Sequence, residues 1–290
     1  MGYLYTCLAT LNYGCGNVVC ELYNRRVKKV NSFCYTMIVS FVVTIFYLIY
    51  GKFDLTFDRT TMLFGGLYAV CYCVATVALL RALKEGYVSL TSLVFSYSLI
   101  LPTLFGIFAY GALPSVAFYF GLCLLAVSLF FLGKKNTEKR DEKGFSVKWL
   151  IYVIAAFFAN GLCSILQTHQ QRICNGNYKS EFMITAMSVV FLFCLVVTLV
   201  EVKRNKDEIT INLTKGWYIA IIYGIVNALL NLFVMLSVAL ISPGIVFPVI
   251  CGGGLILTLL LSLIIFKEKL NMYRIVGFII GVISIVLMNV

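Results

Sequence analysis

The 290-residue chain is 61% hydrophobic and only 12% charged, with a mean hydropathy of +0.98. A soluble domain of this length needs far more surface charge, so an ordinary water-soluble globule is excluded. The net charge of +11 lies in short connections between apolar runs; it reads as membrane orientation and leaves no basic groove for nucleic acid.

The apolar runs are continuous rather than alternating, which argues against a membrane barrel. Most have roughly the 17–25 residues needed to cross hydrocarbon, where only a helix bonds all of its own backbone. In chain order they predict helices at 3–23, 32–50, 60–82, 88–109, 114–133, 148–169, 181–201, 216–239, 244–266 and 272–289. No basic residue precedes the first, while Arg25, Arg26, Lys28 and Lys29 follow it. That order suits an uncleaved anchor with its N-terminus outside. The connection 134–147 is the one long polar stretch, near the midpoint. The expected fold is an all-α membrane protein, ten transmembrane helices as two inverted five-helix repeats: 1–133, a cytoplasmic linker 134–147, then 148–290.

Connections after the odd-numbered helices hold 19 of the 23 Lys and Arg; those after even-numbered helices hold 4. This bias puts the odd connections in the cytoplasm and both termini outside, in a cell membrane read as the bacterial cytoplasmic one. Because each half has an odd number of helices, the second must run opposite to the first. The ends of the halves share punctuation: Ala82-Leu83 and Ala239-Leu240 each precede a Gly-containing turn, an apolar helix, a tight loop, and a last helix bearing Gly121 or Gly277. Tyr13-Gly14 and Asn160-Gly161 match loosely at the starts. Inverted repeats place a shared site near mid-membrane.

These residues resemble the drug/metabolite transporter superfamily, specifically its EamA-type ten-helix members. The likeness is carried by Tyr13, Gly14 and Asn17, by the Ala-Leu turns at 82–87 and 239–244, and by FKEKLNMYRIVGFIIGVISIVL at 266–287, where Glu268 and Gly277 keep the spacing of that family's ending. Ala112 stands at the first-half position matching Glu268, and the charge bias opposes the cytoplasmic termini often drawn for such proteins. The resemblance implies alternating access around a central cavity; it implies no particular substrate.

Polar side chains inside membrane helices are costly unless paired or lining a cavity. Side chains three, four, seven and eleven apart share a helix face. Tyr13, Asn17, Glu21 and Asn24 lie on one such face, and Asn160, Ser164, Gln167 and Gln171 on another. Tyr223, Asn227 and Asn231 repeat every four residues, as do Tyr68, Tyr72 and Thr76; Ser89, Ser92 and Ser96 stand with Tyr97 on the fourth helix. Tyr13, Asn17, Tyr72, Ser96, Tyr97, Asn160, Ser164, Gln167, Asn227 and Asn231 are the candidate substrate-binding set. The bland alternative is helix–helix glue, each bond contributing roughly 0.6 kcal/mol. Glu21 is the carboxylate nearest a helix interior: a coupling or proton-carrying residue, or a headgroup-level partner of Arg25 or Arg26. His169, the sole histidine, is expected at the outer end of its helix in a solvated or interfacial role, with proton handling as the alternative.

Pro243-Gly244, Pro248 and Gly252–Gly254 either break the ninth helix or let neighbours pack closely. Gly277 and Gly281 form a small-residue pair for packing, with a homodimer through the last helix as a further use. The sequon at Asn212 falls in a predicted cytoplasmic loop, where no glycan is expected. Eleven cysteines, an odd count without a C-x-x-C pair, suggest apolar filler rather than disulfides or metal; no cofactor is expected. One histidine and few acids suit an enzyme poorly, and no Walker A sequence is present. The function expected is secondary transport of a small polar or amphipathic metabolite such as an amino acid, an amine or a nucleoside-like solute. A lipid scramblase or a non-transporting membrane sensor of the same fold is the alternative.

Overall fold

Apolar runs punctuated by capping residues fold here into helices packed side by side. The computed structural model describes residues 1–27, 30–85, 91, 94–95, 97–111, 115–133, 147–202, 206–266 and 272–288, and no strand occurs among them. The helices are α1 (Gly2–Val27), α2 (Ser32–Tyr50), α3 (Arg59–Glu85), α4 (Ile100–Tyr110, preceded by a 3₁₀ turn Tyr97–Leu99), α5 (Val116–Gly133), α6 (Val147–Ile173), α7 (Lys179–Val202), α8 (Lys206–Ile211), α9 (Trp217–Leu240), α10 (Pro243–Phe266) and α11 (Met272–Met288). A π-helical turn, Asn212–Gly216, joins α8 to α9.

The boundaries follow from the sequence. Asn31 caps α2 by accepting from Cys34 N at 2.9 Å, and the Asp58 carboxylate caps α3 by accepting from the amides of Thr60 and Thr61. Gly111 ends α4 in the left-handed conformation, φ 63°, where a side chain would be strained. Six stretches are long and apolar enough to cross a bilayer: α2, 59–82 of α3, α6, α7, 208–240 and α10. The chain is therefore a multi-pass membrane protein. The apolar stretches 97–110, 116–128 and 275–284 are shorter.

Four points of the sequence reading meet the structure here. First, of the two readings of Pro243–Gly254 the structure bears out close packing: α10 is continuous through Pro248 and the three glycines. A Cβ on Gly253 would lie 2.8 Å from Thr10 Cγ2, and one on Gly254 2.3 Å from Tyr13 Cδ1. Second, the sequon is helical and Asn212 is fully buried, not a loop residue. Third, His169 is half-buried rather than fully solvated: its ring packs edge-on to Phe64 and Phe105, and Nδ1 meets the Tyr110 hydroxyl at 3.2 Å. Fourth, Gly277 and Gly281 pack as expected, and within the chain: Ser128 on α5 donates to Gly277 O at 2.6 Å and would touch any Cβ on Gly281. A homodimer through α11 would need its other, exposed side.

The packing partners pair off. α1 lies against α9 and α10, α6 against α3 and α4, α2 against α7, α4 against α10 and α5 against α11. The last pair is bonded reciprocally: Ser128 to Gly277 O, and Ser284 to Gly121 O at 2.8 Å.

Polar groups tie both ends of the bundle. At the linker end, where α5 finishes and α6 begins, the Asn212 amide oxygen accepts from Tyr23 Oη at 2.7 Å and from Asn31 N at 3.2 Å. Asn31 Nδ2 donates onward to Glu201 at 2.6 Å, and Asn212 Nδ2 to Glu208 O. At the far end, Gln171 donates to Gln170, whose amide donates to Thr61 Oγ1 at 3.1 Å; Glu181 accepts from Thr56 N at 3.2 Å.

Candidate functional site

Two close approaches between helices build the site. At Gly14 a Cβ would lie 2.7 Å from Leu257 on α10; at Gly161 one would lie 2.4 Å from Leu101 on α4. Glycine at both places lets α1 meet α10 and α6 meet α4. The first contact brings Asn17 Nδ2 to Thr258 Oγ1 at 3.1 Å, while the Thr258 hydroxyl donates to Gly254 O at 2.7 Å. The second brings Asn160 Nδ2 to Ser98 Oγ at 2.6 Å.

From Asn160 the same face of α6 runs to Ser164, partly buried, and to Gln167, buried. Gln167 Nε2 donates to Asn231 Oδ1 at 3.2 Å, and Asn231 Nδ2 donates to Asn227 Oδ1 at 3.1 Å and Asn227 O at 2.9 Å. Asn227 touches the Tyr223 side chain, which lies within electrostatic reach of Tyr72, Tyr13 and Cys20. Tyr13 in turn meets Asn17. Amides and hydroxyls therefore line α6, α9, α1 and α10 in short bonded sets: Asn160 with Ser98, Gln167 with Asn231 and Asn227, and Asn17 with Thr258. In this structure the amides bond one another, so a solute between these helices must exchange those bonds for its own.

Tyrosine rings form an adjoining wall, with Tyr23 and Tyr35 toward the linker end and Tyr68 nearer the far end. Tyr35 lies 5.4 Å from Tyr223 and 4.4 Å from Tyr23, and Tyr68 stacks on Tyr72 at 6.1 Å, centroid to centroid. The Tyr35 hydroxyl is buried without a hydrogen-bond partner of good geometry; the Cys20 thiol beside it is a weak partner at best. Such an orphan among aromatic walls is free to bond an entering group.

Two candidates stand apart from these sets. Glu21 pairs with Arg25 at 2.9 Å, both about two-fifths exposed, and Arg25 lies over the Phe266 ring at 4.0 Å. Tyr97 donates to Ala126 O at 2.6 Å and packs with Leu125 and Cys251. Close to it is an apolar cavity of about 10 Å³ between α4, α5 and α10, lined by Leu99, Leu122 and Phe247 among others; that is room for roughly one water. Ser96 and Ser92 lie outside the described residues. Thr258, Ser98, Tyr35 and Cys20 are site members that sequence reasoning passed over. A single hydroxyl or thiol in an apolar run carries no periodic signal.

Fold and site together define a polytopic helical membrane protein with bonded polar sets through its middle. A solved crystal structure is similar over 99% of this chain and 95% of its own, with a TM-score of 0.76 at 14% identity; this likeness speaks for the fold alone. No curated protein matches. Residues 146–290 match the model of the EamA-like transporter family. The chain belongs to that family, a branch of the drug/metabolite transporter superfamily, and is a membrane transporter of that type.

Proposed function

We propose that this protein is a secondary transporter that carries a small polar or amphipathic solute by alternating access between two inverted five-helix halves. In this reading the ten spans are α1 to α7 and α9 to α11, and the site lies where α1 and α6 cross α10 and α4. One observation carries the reading: Asn17 bonds across to α10 as Asn160 bonds across to the turn opening α4. Equivalent helices of the two halves make equivalent polar contacts at the membrane's middle, which is where repeat-built transporters hold their substrates. The reciprocal Ser128–Gly277 and Ser284–Gly121 bonds support the same two-fold relation, because each serine lies seven residues after its own glycine. The family match beginning at residue 146, just ahead of α6, also agrees with a division near the linker.

The basic bias toward the linker end places that end in the cytoplasm and both termini outside. Amides, hydroxyls and tyrosine rings, without a carboxylate in these bonded sets, suit a neutral or zwitterionic solute such as an amino acid or a nucleoside-like compound. Glu21, paired with Arg25 near the linker end, serves orientation in this reading rather than ion coupling.

The test is a thermal-shift screen of purified protein against a metabolite library, since a ligand bound to the folded state raises its apparent stability. Uptake of the labelled hit into proteoliposomes follows. Asn17→Ala and Asn160→Ala should each lose the ligand-induced shift while still inserting in the membrane. Binding unchanged in both variants would move the pathway elsewhere. Lipid translocation without solute uptake would replace transport by scrambling.

A further inference from the structure

The far end holds a cation with no counter-charge. Arg172, in the last turn of α6, is partly buried; Nη2 donates to Ile241 O at 2.7 Å, and the guanidinium lies 5.1 Å from the Tyr110 ring centroid. Its Nε is buried and donates to nothing. Among the described residues the recorded ion pair is Arg25–Glu21, at the opposite end. Nearby carboxylates are engaged elsewhere or in solvent: Asp58 caps α3, Glu181 accepts from Thr56 N, and Asp54 is exposed. A guanidinium drawn partly out of water without an anion is unfavourable, and its fork of donors matches an oxyanion.

Its surroundings supply further donors. The Ser242 hydroxyl is buried and unbonded. Ser242 O accepts from the amides of Ile245 and Val246, so this residue stands at the cap position of α10, where the 24-residue helix presents its positive end. Thr168, one turn before Arg172 on the same face of α6, is fully buried with its hydroxyl also unbonded. A second cation borders the 239–242 turn, Lys179, whose Nζ already donates to Gly176 O and lies within reach of Glu181: a Cβ on Gly176 would lie 3.3 Å from Ala239 and 3.7 Å from that Nζ.

We propose that Arg172, Ser242 and the N-terminus of α10 form an oxyanion site that takes a carboxylate or phosphate group. An oxyanion there accepts from Arg172 Nε and the Ser242 hydroxyl and supplies the missing counter-charge. Its use, which rests on the transport reading, is to hold the acidic group of a solute at the far-end mouth. A lipid headgroup phosphate offers the same chemistry, and the test separates the two sources.

Purified full-length protein in detergent is titrated with sodium phosphate or sodium propionate against sodium chloride at matched ionic strength, with the thermal midpoint as readout. Phosphate or propionate should raise the midpoint above the chloride curve. Arg172→Gln should weaken the apparent affinity by about tenfold or more, the loss of a charge-assisted pair of bonds. Arg59→Gln, an exposed cation at the same end, should leave the response intact. In chloride, Arg172→Gln removes an uncompensated charge along with the Ile241 O bond and the Tyr110 contact, so its midpoint should stay close to the parent's; a lost response is then not misfolding. Equal responses in parent and Arg172→Gln, or no response to either anion or lipid, would overturn the site. In the second arm the protein sits in phosphatidylcholine nanodiscs with or without phosphatidylglycerol. An Arg172-dependent shift seen only with phosphatidylglycerol would keep the oxyanion chemistry but overturn the solute role. Failure of solute uptake with the anion response intact would refute the transport reading alone.

Discussion

The linker end and the far end are both tied by buried polar groups, but the far end leaves more of them unpaired: four atoms there against Tyr35 Oη and Thr198 Oγ1 toward the linker end, among the described residues. At the linker end Tyr23, Asn31, Asn212 and Glu201 form a linked set in which one amide oxygen serves two donors. At the far end Thr168 Oγ1, Gln171 Oε1, Arg172 Nε and Ser242 Oγ are buried without partners. A polar group left unpaired away from water costs about 1–3 kcal/mol, whereas a completed bond contributes about 1 kcal/mol. The contrast is one of degree, and the larger unsatisfied cost falls on the far end.

Substitutions can break this contrast. Asn212→Leu strands the Tyr23 hydroxyl and the Asn31 amide together, so unfolding in detergent should show a loss of about 3 kcal/mol; a loss below about 1 kcal/mol would mean that the latch does not hold that end. Ser128→Ala with Ser284→Ala removes both bonds between α5 and α11, and the pair should cost only about 1 kcal/mol, as interhelical bonds in membranes average about 0.6 kcal/mol. Thr168→Val should be smallest, between no change and a gain of about 1 kcal/mol, because it deletes a hydroxyl that bonds nothing. A clear destabilisation by Thr168→Val would show that the far end is satisfied after all.

How much of this could be read in advance depended on periodicity. Asn160, Ser164 and Gln167 repeat along one face of α6, and Tyr223, Asn227 and Asn231 along α9; both stripes enter the bonded sets. The α1 stripe was legible only in part. Tyr13 and Asn17 reach α10, but Glu21, one turn on, turns toward solvent and Arg25. Tyr35 sits in SFCYTM, where a lone tyrosine reads as ordinary apolar filling, and its partnerless hydroxyl exists only through the packing of α1, α2 and α9. Arg172 was hidden by a boundary. With the helix expected to stop at 169 it counts as a loop charge; one more turn of α6 carries it onto Tyr110 and Ile241. His169 is half-buried for another reason, one no periodicity signals: α4 brings Phe105 and Tyr110 against that turn.

The crossed serine–glycine bonds of α5 and α11 have a consequence for the chain's continuity. α5 and α11, which stand on opposite sides of the connection after residue 133, hold one another through these two bonds. Two separately synthesised fragments, 1–140 and 141–290, should therefore co-purify from one membrane when expressed together.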